Sequence, residues 1–388
     1  MKLTRWLLAF PLSPLLLFAS REAQAKHADG NHYLAYVGTY TNKTASKGIY
    51  AFRFDASSGK LEPLGVAAET PDPSWVAIHP NGKFLYAANE AGKNSMVSGF
   101  ARDGKTGKLT LLSQLPALGE DPCYLSLDKT GKYLLVANYT SGNVVVFPIA
   151  VDGKLGQATA NVRDEGTLGP NKERQDGPHA HWVETSAGNR FAYVSDLGLD
   201  RVLIYKFDAN LGQLSRPDPG QPEAFQAALP PGAGPRHLAF SRDGNFMYVL
   251  GELQSTVTTF ANEAREKYHA LQSVSALPAA FTGRNDAAEI ALHPSGKFLY
   301  TSNRGLDSIA VFQVDSGGLL RLAANVRTGG KEPRHFSIDP SGNYLLAENQ
   351  LSDKIVTFRI DQTTGALTPT GASLEVPSPV SIAFLPLD

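Results

Sequence analysis

Between Glu289 and Val314 the chain reads E-I-A-L-H-P-S-G-K-F-L-Y-T-S-N-R-G-L-D-S-I-A-V-F-Q-V. Ile290 and Leu292 alternate with small or polar neighbours, the period of a half-buried strand. His293-Pro294-Ser295-Gly296 then supplies a tight turn. Phe298-Leu299-Tyr300 opens a second strand and Gly305 to Ser308 a second turn. Ile309 to Val314 is β-branched and aromatic, a third strand.

Most of the chain repeats this phrase. Close copies run from Pro73 to Tyr86, Pro122 to Leu135, Pro235 to Val249 and Pro333 to Leu346, with a looser one from Pro178 to Val194. Together they make six copies about 45–57 residues apart, a spacing that suits a four-stranded propeller blade. A further copy is split between the ends. Leu34 to Tyr40 matches the second strand of the phrase, and Pro379 to Phe384 matches the first. The expectation is an all-β, seven-bladed β-propeller of four-stranded antiparallel blades. N- and C-terminal strands share one blade and close the ring, which removes open sheet edges. A two-sheet sandwich explains neither the period nor the split copy.

The chain is 42% hydrophobic and 19% charged, with 36 glycines and 25 prolines spread through turns. A formal net charge of −1 argues against a general nucleic-acid binder, which needs a basic face. Residues 1–25 read as an export signal. Lys2 and Arg5 precede an apolar run from Trp6 to Ala19, and Ala23-Gln24-Ala25 offers a small-residue cleavage site. The expectation is a periplasmic protein whose residues 26–388 form a single propeller domain with no membrane span. Cys123 is a lone cysteine, so no intramolecular disulfide forms. Two connections are long enough to act as lids: residues 166–177, holding Lys172, Glu173 and Arg174, and residues 217–234.

In an antiparallel blade the start of strand one and the end of strand two share a rim, and strand one lines the central channel. Aligned by the repeat, that rim gathers His179, Arg236, Arg304, Arg334, Glu90 and Glu252 with Tyr40, Tyr139 and Gln350. The charged residues differ from blade to blade, as a binding or catalytic site requires and a purely structural repeat does not. Asn89, Asn138, Asn303 and Asn349 recur beside them as turn formers. His79 and His293 belong to His-Pro turns and are structural. His237 and His335 follow Arg236 and Arg334, so strand alternation points them the other way, into blade packing. His179 and His181, with no Cys or acidic third ligand beside them, are only a weak signal for zinc, and no acidic cluster suits calcium. No metal or organic cofactor is expected, and no G-x-S-x-G elbow indicates a serine nucleophile.

Gly-Pro-His-Ala-His at 177–181, Gly-Pro-Arg-His at 234–237, Gly251-Glu252 and Ser302-Asn303-Arg304 resemble the seven-bladed lactonase family. That family includes propeller-type 6-phosphogluconolactonases and the fungal carboxymuconate-lactonizing enzyme. The likeness extends from about Tyr33 to Phe384. It implies a catalytic set of Glu252, Arg236, Arg304 and either His179 or His181, with a small sugar lactone as substrate. Arg334, Glu90, Tyr139, Tyr40 and Gln350 are then the substrate-binding candidates. In this scheme Glu252, its pKa raised by burial, activates water, the arginines hold the oxyanion, and a histidine with pKa near working pH protonates the leaving oxygen. An export signal favours unphosphorylated D-glucono-1,5-lactone. The competing readings are a 6-phosphogluconolactonase, with Arg334 and the loop from Lys172 to Arg174 receiving the phosphate, and a non-catalytic propeller that binds a partner at its mouth.

Overall fold

The computed structural model describes residues 31–216, 225–264 and 267–387. The expected export signal lies outside them. Seven antiparallel sheets form the blades. His32–Thr39 pairs on one side with Gly48–Asp55 and on the other with Pro379–Pro386, so the chain's two ends share a blade as the split copy required. Six blades have four strands. In the remaining one the outer position is shared by Gln213–Ser215 and Gln226–Ala228, both paired with Arg201–Asp208. The long connection from 217 to 234, expected as a possible lid, therefore contributes the strand Gln226–Ala228 to this blade.

Position in the blade explains residue choice. A middle strand is sandwiched between neighbouring blades, and Tyr133–Asn138 and Tyr344–Asn349 are buried at every residue. An outer strand faces water on one side, and Lys267–Ser275 is mostly exposed. Tyrosines in the middle strands reach across to the hairpin of the next blade. Tyr36, Tyr86 and Tyr300 donate to the carbonyls of Gly107, Gly153 and Gly365 at 2.9, 3.0 and 2.8 Å. Gly365 itself has φ +75°, and a Cβ there would lie 2.5 Å from Phe298, so only glycine lets this hairpin approach. His79 and His293 bridge blades in the same manner, through the carbonyls of Gly131 and Gly342.

Two repeated devices position the rim. Asp200, Asp307 and Asp353 sit in the left-handed region at φ 53°, 52° and 51°. Each takes the backbone N–H of a loop entering an innermost strand: Gly234, Glu332 and Ser378, all at 2.8 Å. The second device is a register shift at the top of the innermost strand in every blade. Such a bulge leaves residues unpaired and re-aims their side chains.

Candidate active site at the channel mouth

The repeat alignment holds at the backbone. Tyr40, Glu90, Tyr139, Glu252 and Gln350 follow their second strands and donate N–H to the carbonyls of Ser378, Asp72, Asp121, Gly234 and Glu332 at 2.8–3.2 Å. In the looser copy Leu197 donates to His179 in the same way, and Ala180 pairs with Asp196 where Pro235 pairs with Gly251. This places His181, rather than His179, in register with Arg236, Cys123 and Arg334. His179 sits one step farther out.

Glu252 is the centre of the mouth. Its carboxylate is 3% exposed, and three guanidiniums meet on it. Arg174 Nη2 lies 2.7 Å from Oε1, Arg304 Nη2 3.1 Å from Oε1, and Arg236 Nε 3.0 Å from Oε2. The Arg236 contact is an ion pair only, because the Nε–H is not aimed at the carboxylate and finds no hydrogen-bond acceptor. Burial pushes Glu252 upward, but Arg304, Arg236 and Arg174 outweigh it and hold the carboxyl at about 2. The expectation of a raised pKa is corrected: in the resting site Glu252 is a firmly ionised, weakly basic carboxylate. Burial, then Arg304 and Arg334, draw Arg236 down to about 10, with Glu252 and Glu289 compensating. It remains a cation at neutral pH.

The two histidines differ sharply. His179 stacks on Tyr139, ring centroids 4.6 Å apart and planes at 15°. Its Nδ1 is 3.0 Å from the Tyr139 carbonyl and its Nε2 2.9 Å from the carboxylate of Asp176. Both partners are acceptors, so the doubly protonated ring satisfies both. His181 is 4% exposed, with Nδ1 3.6 Å from the Cys123 sulfur. Burial, then Arg236, His237 and Arg334, push it well below the usual histidine value. For His181, the expectation of a pKa near working pH does not hold.

Among the substrate-binding candidates, Tyr40 donates to Glu90 at 2.7 Å, and the Arg334 guanidinium lies over the Tyr40 ring, 5.4 Å from its centre. Among the described residues Arg334 makes no ion pair or hydrogen bond to a carboxylate. Burial pulls it down, but Tyr40, Glu90 and Glu252 win and raise it. Gln350 makes no side-chain hydrogen bond or ion pair with the rim arginines. It lines a groove of about 490 Å³ with Tyr40 and Glu90, while Arg174 and Asp286 border another of about 510 Å³. A roomier cavity of about 720 Å³, among Arg53, Lys60 and Glu62 on the outer edge of the first blade, involves no rim residue.

Two assignments need correction. Asn89, Asn138, Asn303 and Asn349 are buried rather than turn-forming; Asn89 and Asn303, for example, bond the Thr70 hydroxyl and the Ala276 carbonyl. His237 and His335 bridge blades through Glu289, but they also face the channel, which strand alternation did not predict. The bulges break strand alternation, and both imidazoles lie perpendicular to the Trp75 ring across the channel, with ring centroids 5.4 and 5.1 Å apart. Sequence reasoning also passed over Asp176 and the full reach of Arg174. The charge density of the 166–177 loop was the available signal for Arg174.

A closed seven-bladed propeller whose mouth sets several arginines around one buried carboxylate is a site for an anion or a carbonyl that becomes one. Residues 34–384 match the family model described as lactonase, 7-bladed beta-propeller, and the chain belongs to that family. It is 36% identical over 355 residues to a 6-phosphogluconolactonase of Bacillus subtilis, covering 91% of this chain and 98% of that one. The structure of a periplasmic gluconolactonase from Pseudomonas aeruginosa superposes with a TM-score of 0.85 at 34% identity, covering 92% of this chain and all of that one. A Lactobacillus plantarum protein gives 0.84 at 33% identity, covering 91% and 99%. The protein is a lactone-hydrolysing enzyme.

Proposed function

We propose that the protein hydrolyses D-glucono-1,5-lactone to gluconate in the periplasm, at the mouth built around Glu252. The observation that carries this is the convergence of Arg174, Arg236 and Arg304 on one buried carboxylate, beside a fourth arginine, Arg334, with no carboxylate partner among the described residues. Preorganised cations of this kind stabilise the oxyanion that forms when water adds to a carbonyl.

The incoming lactone draws donors of Arg236 and Arg304 toward its carbonyl oxygen. Their hold on Glu252 loosens as they turn, and its basicity rises in the complex. Glu252 then accepts a proton from water as the water oxygen bonds to the carbonyl carbon. Collapse of the tetrahedral adduct breaks the ring C–O bond, and the alkoxide takes the Nε2 proton of His179, replacing the exposed Asp176 carboxylate as its acceptor. Gluconate leaves with its carboxylate among the arginines. The new carboxyl loses its proton to solvent, and the proton held by Glu252 returns through solvent to His179, so one water is consumed and one proton released.

The periplasmic assignment rests on the leader-like residues 1–25 and on likeness to a periplasmic gluconolactonase. The 6-phosphate remains a second reading because Arg174 and Arg334 could receive a phosphate and because of the Bacillus subtilis relative. Proton release at constant pH, with fresh D-glucono-1,5-lactone and with its 6-phosphate, separates them. Turnover of the free lactone, lost in Glu252→Gln, is expected. Turnover of the phosphate alone would replace this substrate, and silence with both would leave the lactone reading without support.

A further inference from the structure

Below the arginine layer the channel holds a second tier of residues, the positions that follow the bulges: Trp75, Tyr124, His237, Glu289 and His335. Its members bond in a chain. His237 Nδ1 is 2.9 Å from Glu289 Oε2, and His335 Nε2 is 3.3 Å from the same oxygen. His335 Nδ1 contacts Glu348 Oε2. Glu289 Oε1 takes the backbone N–H of Ile290 at 3.0 Å, so both carboxylate oxygens are occupied. At the upper end, His237 Nε2 faces Arg236 Nη1 at 3.4 Å, and that guanidinium also donates to the Ala288 carbonyl.

The tautomer of His237 follows from its partners. A carboxylate oxygen only accepts, so Nδ1 carries the proton and donates to Glu289. That leaves Nε2 bare to accept from Arg236. We infer that Glu289 is a second counter-ion for Arg236, acting through the His237 imidazole, and that it keeps this guanidinium aimed into the mouth when Glu252 is engaged with substrate. Glu289 and His237 are positioning residues in this scheme, since neither touches the lactone. The inference rests on Arg236 serving as an oxyanion donor, as proposed above.

Its charge balance agrees. Burial raises Glu289, but His237 and His335, then Arg236, outweigh it and keep the carboxyl below its usual value. His237 is drawn down to about 4, chiefly by burial, and therefore stays neutral at working pH. The other titratable groups facing Glu289 are His335, which Glu348 and Glu289 raise against its burial, Glu184, and the Tyr124 phenol. Trp75 and Tyr124 set their rings against His237, and His237, Glu289 and His335 are all buried.

A kinetic cycle with D-glucono-1,5-lactone tests this. Glu289→Gln keeps the shape and removes the charge. It is expected to lower kcat about tenfold while KM moves less than about twofold. In an Arg236→Lys background the same change is expected to cost less than about twofold, because its route is already cut. Equal losses in both backgrounds, or an unchanged kcat with only a lower unfolding temperature, would overturn the inference and leave the chain as core structure. If Glu289→Gln does not fold, His237→Gln replaces it in the cycle with the same expectations. A wild-type enzyme active on the lactone with kcat unaltered in the variant would sink this inference alone. An inert wild-type enzyme would sink the function and this inference together.

Discussion

Arg174 and Glu252 lie 2.7 Å apart although 78 residues separate them in the chain. A loop guanidinium with a 29% exposed side chain thus seals a carboxylate that the blade strands have already buried. Arg174 also reaches the Tyr139 hydroxyl at 3.4 Å and faces Asp286 at 3.8 Å, so it spans the mouth between two blades.

Replacing Arg174 by Ala should separate binding from folding. The side chain is partly solvated and on a loop, so stability should change by about 1 kcal/mol or less. KM for the lactone should rise about tenfold, the scale of one lost charged hydrogen bond. Steady-state kinetics beside thermal unfolding decide this; an unchanged KM would remove Arg174 from the binding surface.

His179 and His181 should not behave alike. His179→Ala removes the proposed acid and should reduce kcat about 100-fold or more. His181→Asn replaces a ring that burial keeps neutral, and should cost less than about tenfold. The reverse ranking in a proton-release assay would transfer the acid role to the inner histidine.

The pH dependence of stability carries a signed expectation. Glu252 titrates at about 2 in the fold against 4.5 for an ordinary glutamate. Its ion pairs therefore contribute fully above about pH 4.5, and the contribution, about 3 kcal/mol, fades as pH falls toward 2. His237, neutral when folded with a value of about 4, makes the whole protein lose stability already as pH drops below the ordinary 6.5. His335, raised in the fold, works in the opposite direction: its contribution is complete below 6.5 and is lost as pH rises through its raised value. Subtracting Glu252→Gln from wild type in denaturant titrations at pH 7, 5 and 3.5 removes the shared histidine effects. The difference should be flat from 7 to 5 and smaller at 3.5; a constant difference would contradict the ion-pair account.

Asp307→Ala tests how the rim is held. It removes the acceptor of the Glu332 N–H and places a β-carbon without its local hydrogen bond at φ 52°. A loss of about 2–3 kcal/mol is expected from the charged hydrogen bond and the left-handed backbone together. A urea midpoint within error of wild type would show that the clamp contributes nothing.

The propeller was legible because its determinants are local and repeated. Alternation from Ile290 to Leu292, the turn at His293 to Gly296 and the tyrosine of each middle strand recur at a regular period. The split copy at Leu34 and Pro379 then announced closure, which the pairing of Tyr33 with Pro386 provides. The rim was legible for the same reason: equal positions in equal repeats must lie on one circle. Alignment alone placed Glu252, Arg236, Arg304, Arg334, Glu90, Tyr40, Tyr139 and Gln350 on one circle, and the structure brings them to the same end of the ring.

What the amino-acid order determined by itself is therefore the strand pattern, the blade number, the closure and the circle on which the polar residues stand. Tertiary structure alone decided the chemistry on that circle. Strand alternation assumes an unbroken ladder, and the bulge at the head of every innermost strand breaks it, turning His237 and His335 into the channel and placing His181 beneath His179. The sign of the Glu252 shift was equally out of reach. Burial alone raises a carboxyl, and only the meeting of arginines from a loop and two different blades, within about 3 Å of its oxygens, reverses that direction.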